Sequence, residues 1–126
     1  GSMEQLEDNL NTFSQFRPLS DEERAAVDET ARRLAQRVKN GCTGCRYCMP
    51  CPAGGDIPKS FRIWNRMAMY QNYPVTRRDW KGMEAEARPD QCYRCGRCER
   101  LCPQHLPIRA QLAQAHAEIT AFTEKR

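Results

Sequence analysis

All eight cysteines of the 126-residue chain fall in two short runs. These are Cys42-Thr-Gly-Cys45-Arg-Tyr-Cys48-Met-Pro-Cys51-Pro52 and Cys92-Tyr-Arg-Cys95-Gly-Arg-Cys98-Glu-Arg-Leu-Cys102-Pro103. Thiolate sulfur is a soft ligand that suits iron and zinc. A Cys-x-x-Cys-x-x-Cys segment on a tight loop aims three sulfurs at one body, and its turning amides can donate to inorganic sulfide. A fourth cysteine follows as the chain leaves, and proline then directs the chain away. Such a run suits an iron–sulfur centre, with one cysteine at each iron. Two four-cysteine zinc sites are the alternative, and disulfides are a third reading. Zinc ribbons use separated pairs, whereas here four cysteines crowd together twice, each time before proline.

The second run reproduces the C-x2-C-x2-C-x3-C-P pattern that bacterial ferredoxins use for 4Fe–4S clusters. The first is the same pattern with one residue missing before its last cysteine. In two-cluster ferredoxins the fourth cysteine ligates the other cluster. That resemblance implies one cluster on Cys42, Cys45, Cys48 and Cys102, and a second on Cys92, Cys95, Cys98 and Cys51. The shortened gap, Met49-Pro50, leaves the placement of Cys51 open.

Other residues offer less chemistry. His105 could tune a cluster by donating an N–H toward sulfur, or be a polar loop residue. His116 sits on the flank of an apolar stripe and should be partly solvent-facing. Tyr47 and Tyr93, inside the runs, could shield the clusters from water or simply pack as loop residues. Phe61, Trp64 and Trp80 are expected in the core rather than on an electron route. Arg32-Arg33 and Arg77-Arg78 read as solvated faces. With every cysteine claimed and two histidines in the chain, no catalytic residue is expected here.

The runs need elements to hold them. Residues 2–13 should form a short helix with Met3, Leu6, Leu10 and Phe13 on one face, opened by a Ser2/Gln5 capping box. A second helix should start at Ser20 with Glu23 reaching back, carry Val27, Ala31, Leu34 and Val38, and stop at a left-handed Asn40-Gly41. Asp56 should cap a third helix that buries Phe61, Trp64, Met67 and Ala68 and ends at Tyr73-Pro74. Thr76 with Asp79 should open a fourth helix through Trp80, Met83 and Ala87, closed by Arg88-Pro89. Pro107 should begin a last helix with Ile108, Leu112, Ala115, Ile119 and Phe122 on one face. No segment alternates with a strand's period of two. The expected fold is all-α, a helical ferredoxin-like domain with two cysteine-rich loops between helices. The two runs, each ending in Cys-Pro, form an internal repeat. A forty-residue helical insertion resembles the helical ferredoxin domains of succinate dehydrogenase and related iron–sulfur subunits.

Composition sets outer limits. The chain has 40% apolar and 29% charged residues and no apolar stretch long enough to span a membrane. Gly1-Ser2 resembles the remnant of an affinity tag, and no leader is evident, so a reducing, cytoplasmic location is expected. The net charge of +4 could suggest an anionic partner. Two 4Fe–4S sites with four thiolates each would contribute about −4, so the arginines mainly offset the clusters. No nucleic-acid or membrane partner is expected.

The stretch from Cys42 to Pro58, with Phe61 and Asn65, resembles the C-terminal ferredoxin extension of iron–sulfur-containing aldo/keto reductases. Pro89-Asp-Gln-Cys92, Cys98-Glu99 and Cys102-Pro-Gln-His-Leu-Pro-Ile-Arg109 match its second half. Ser2-Met-Glu-Gln5-Leu-Glu-Asp8-Asn9-Leu10 resembles the last helix of the reductase barrel, with Asp8 in place of the usual glutamate. The resemblance implies a tip toward the adenosine end of NADPH, touched by Asn9, Gln5 and Asp8 in a full-length enzyme. It also implies an absent (β/α)8 barrel, which takes about 250 residues, as partner domain and seat of hydride transfer. The expected organisation is a tag remnant at 1–3, the end of a barrel at 4–19, and a dicluster domain at 20–126. The expected role is electron transfer with an unknown redox partner. A structural or sensory module that binds protein or nucleic acid is the rival reading.

Overall fold

A computed structural model describes residues 1–124. Six α-helices appear in order, α1 (Met3–Ser14), α2 (Asp21–Arg37), α3 (Ile57–Tyr70), α4 (Tyr73–Lys81), α5 (Arg97–Leu101) and α6 (Ile108–Glu124), and no strand occurs among the described residues. The all-α expectation holds. By compactness the chain divides into two units, Gly1–Arg33 and Leu34–Arg126, with the boundary inside α2.

In the first unit both N-terminal caps form as the sequence predicts. The Ser2 hydroxyl accepts from the Gln5 amide while the Gln5 side chain accepts from the Ser2 amide. Ser20 and Glu23 exchange the same pair of bonds at the start of α2. Satisfying two otherwise orphaned N–H groups at each site fixes where the helices begin. Their apolar stripes, however, are not buried: Met3, Leu6, Leu10, Phe13 and Val27 are all exposed.

The second unit holds the core. Helices α3 and α6 pack on one another, with α4 against both. Ile57, Phe61, Trp64 and Met67 of α3 meet Ile108, Leu112, Ala115 and Ile119 of α6, and Trp80 and Met83 close the cluster. The Trp64 indole N–H donates to Glu118 at 2.7 Å. Arg88 lies over the Trp80 ring and His116 meets it edge-on.

Several boundaries differ from expectation. Helix α2 stops at Arg37, and neither Asn40 nor Gly41 is left-handed; Asn40 is instead buried in a hydrogen-bond network described below. Helix α3 ends at Tyr70 because Gln71 takes the left-handed conformation, φ 53°, and its amide closes on Met67. Tyr73-Pro74 therefore begins α4 rather than ending α3, with Asn72 as the cap accepting from Val75. Thr76 lies within α4, its hydroxyl donating to the Asn72 carbonyl. Met83 and Ala87 fall beyond α4, where short 3-10 turns occupy Ala85–Ala87 and Pro89–Gln91. The short α5 lies inside the second cysteine run, where the sequence pattern predicts a loop.

Candidate metal centres

The internal repeat is deeper in backbone than in sequence. In each run the residues flanking the second cysteine are left-handed: Gly44 and Arg46 around Cys45, Arg94 and Gly96 around Cys95. Glycine takes that conformation at no steric cost, and the runs place it on opposite sides of the central cysteine. Three residues after the last cysteine a further left-handed residue, Gly54 or His105, donates its amide to the Cys51 or Cys102 carbonyl. Each chain then enters a helix at a fully buried isoleucine, Ile57 or Ile108. Burial of the cysteines repeats too: Cys42 and Cys92 are half-buried, Cys45 and Cys95 exposed, Cys48 and Cys98 buried, Cys51 and Cys102 half-buried. The repeat breaks only between the third and fourth cysteines. There the second run makes α5, while the first, one residue shorter, makes a turn.

This geometry surrounds two cavities. The first is lined by Cys42, Cys45, Cys48 and Cys102, with Phe61, Leu106 and Ile108 behind them. The second is lined by Cys51, Cys92, Cys95 and Cys98, and Cys48 also reaches its wall. The atom-free space in and over each, open solvent included, is about 340 Å³. Three sulfurs come from one run in each case, and the fourth from the opposite run. Cys48 and Ile57 line both cavities, so one layer of side chains separates them.

The cavities suit a polynuclear group better than a single ion. Tetrahedral zinc needs its sulfurs about 2.3 Å from one point, and among the described residues no three cysteine, histidine or carboxylate groups converge so closely. Four sulfurs spread around a cavity match a cluster with one iron behind each. The thiols also call for a cationic core. Burial pushes Cys48 up to about 11, reinforced by the neighbouring Cys42, Cys98 and Cys45. Burial raises Cys98 as well. Such crowded thiols become thiolates only against compensating positive charge.

Residues outside the runs hold the loops. Asn65, in α3, accepts from the Lys39 and Asn40 amides and donates to the Asn40 carbonyl. Asn40, 4% exposed, accepts in turn from the Cys42 amide at 2.7 Å and donates to Gln111 of α6. On the other side Glu99 of α5 accepts from the Arg109 amide, in the first turn of α6, and forms a 2.7 Å ion pair with its guanidinium. Arg109 also lines the second cavity and lies against buried Gly96. Its guanidinium holds the Glu99 carboxyl below the usual range. In the sequence alone Asn40 signals only a helix stop. Asparagine is a poor helix former, and Asn65 in the middle of α3 was the one local sign of a long-range tie.

The remaining candidates are dispersed. His105 is exposed. His116 is one-third exposed, with Nδ1 lacking a hydrogen-bond partner. Tyr93 lines the second cavity, whereas exposed Tyr47 lines neither. Phe61, Trp64 and Trp80 are core residues. Arg32 and Arg33 pair with Glu29, and Arg78 with Asp79. Asp8 and Asn9 are exposed on α1, and Gln5 is engaged in its own cap. No helix is long and apolar enough to cross a membrane.

Among known proteins, no curated sequence and no solved structure matches the chain. A family model does match, that of the 4Fe-4S dicluster domain, over residues 41–106. Those residues begin one position before Cys42, end at Leu106 of the first cavity, and make up more than half of the chain. The chain belongs to the 4Fe-4S dicluster domain family.

Proposed function

We propose that this domain is a one-electron carrier with a 4Fe–4S cluster in each cavity, one held by Cys42, Cys45, Cys48 and Cys102 and the other by Cys92, Cys95, Cys98 and Cys51. The observation that carries the reading is the shared wall: Cys48 and Ile57 border both cavities, so two redox groups would lie one side-chain layer apart. When bound, such clusters supply reversible one-electron chemistry. The chain contributes thiolates, an apolar lining from Phe61, Leu112 and Ile108, and one exposed edge at each of Cys45 and Cys95. The test is an anaerobic potentiometric titration. Reversible one-electron steps without unfolding support the carrier. Full iron content with no reducible signal would favour a structural staple, in which metal binding supplies folding free energy.

We further propose that the domain serves an aldo/keto reductase-type oxidoreductase in a reducing, cytoplasmic compartment. Two features support this: the motif resemblance, and the unburied apolar face of α1, which a barrel would cover. In the barrel-bearing protein Asn9, Gln5 and Asp8 would border the NADPH adenosine. Replacing Asn9 by alanine there should weaken NADPH binding several-fold in a fluorescence titration. Unchanged affinity would contradict the placement.

A further inference from the structure

A depression wider than either cysteine cavity lies beside the first run. It is an open basin of about 850 Å³, solvent space included, and its floor runs from Cys42 and Thr43 along α3 to Met69. Four cations line it: Arg46 from the cysteine loop, and Lys59, Arg62 and Arg66 from one edge of α3. At 1.5 Å per residue the helical three span about 10 Å. Lys59 donates to the Gly82 carbonyl and Arg66 pairs with Asp79. Arg46 and Arg62, both exposed, make no ion pair or side-chain hydrogen bond among the described residues. The single acid on the wall, Asp56, is the α3 cap, accepting from the Lys59 amide. The basin is thus a row of positive charge beside the first cysteine run, with half-buried Cys42 on its own wall and Gly44 and Arg46, the chain neighbours of exposed Cys45, beside it.

We infer that this basin is the docking surface for an acidic protein that exchanges electrons with the domain, an inference that rests on the carrier reading. The exchange is a single electron leaving the reduced partner and reducing the domain; no bond forms or breaks and no proton is needed. Three observations favour a protein over a small anion. The cations form a line rather than converging on one point. Two of them are already partly satisfied, as at the rim of an interface. The basin is broad and open with charged side chains along its wall, unlike the enclosed sites of small ligands. A like-signed row at a redox edge raises encounter rates and orients the partner more than it adds raw affinity.

The experiment uses an acidic 2Fe–2S ferredoxin as probe, with wild type, Arg62→Ala and Arg62→Glu. Iron and sulfide contents confirm that each variant keeps its clusters. Equilibrium binding is measured with both proteins oxidised, and electron transfer by stopped flow with the ferredoxin and with methyl viologen radical. The expected result is binding and ferredoxin-driven reduction about tenfold weaker or slower in the variants at low salt. The difference should shrink at high salt, with viologen reduction undiminished. Equal binding in wild type and variants, or binding insensitive to salt, overturns the docking surface. Micromolar binding of ATP or NADPH, lost in the variants, overturns it in favour of a phosphate ligand. Failure of wild type to accept electrons from viologen refutes the carrier reading instead, and the oxidised-state binding still judges the surface by itself.

Discussion

Replacing Asn65 by alanine tests how the fold positions the first cysteine run. The side chain makes three hydrogen bonds, to the amides of Lys39 and Asn40 and to the Asn40 carbonyl, at 2.8–3.0 Å. Lys39 is exposed, so water can replace its bond at little net cost. Asn40 is 4% exposed, and its amide and carbonyl would be left without partners. Two such losses cost about 2–3 kcal/mol, a factor of roughly 30 to 150 in the opening equilibrium of that loop. The opening is transmitted directly, because Asn40 Oδ1 holds the Cys42 amide at 2.7 Å. Asn65→Asp keeps both acceptor bonds and loses only the donor, so its effect should be clearly smaller. The assay is anaerobic iron release to a chelator, followed at the visible absorption of the reconstituted protein. One phase, that of the site bearing Cys42, should accelerate in the order wild type, Asn65→Asp, Asn65→Ala, and the other should change little. Wild-type kinetics in Asn65→Ala, or equal acceleration of both phases, would refute the reasoning.

Two further outcomes follow from the same structure. Cys102→Ala should disturb the site of the first run rather than its own, giving a three-iron EPR signal while leaving the Cys92–Cys95–Cys98 site intact; a change confined to the second-run site would contradict the crossing. Glu118→Leu should cost about 1–3 kcal/mol in chemical denaturation, because it orphans the buried Trp64 N–H, whereas Glu118→Gln keeps an acceptor and should lose under about 1 kcal/mol with the half-exposed Lys39 pair. Burial alone would raise the Glu118 carboxyl, but bonds from Trp64, Gln114 and Lys39 outweigh it and hold it below its ordinary 4.5. Its stabilising effect is therefore complete above pH 4.5 and fades as pH falls through the depressed value. Wild type should lose its advantage over Glu118→Gln across that acid range, and a difference independent of pH would contradict the assignment.

What was legible in the sequence was mostly local. Ser2 with Gln5 and Ser20 with Glu23 announce helix starts because both partners of each bond lie within one turn. The faces of α3 and α6 follow from apolar spacing, which burial enforces at Phe61, Trp64, Leu112 and Ile119. The ends were less legible. A left-handed Gln71 stopped α3 where Tyr73-Pro74 looked the stronger signal, since proline in the first turn starts a helix as readily as it ends the previous one. Amphipathic spacing in α1 and α2 predicted helices correctly but said nothing of burial. The two cysteine runs were legible as an iron–sulfur domain. The ties that hold their loops, Asn40 to Asn65 and Gln111 and Glu99 to Arg109, join residues distant in the chain, and a single sequence carries no pairing signal for them. The backbone repeat was half-hidden because glycine stands before Cys45 in one run and after Cys95 in the other.

The most direct test of the central claim is an anaerobic count of iron and acid-labile sulfide per chain on reconstituted protein, with EPR after dithionite reduction of the same sample. The account predicts about eight of each, from two four-iron clusters, and a spectrum of two interacting paramagnets, as a single-layer wall of Cys48 and Ile57 requires. Zinc without sulfide, or one cluster per chain with half of the cysteines still free to alkylate, would contradict it.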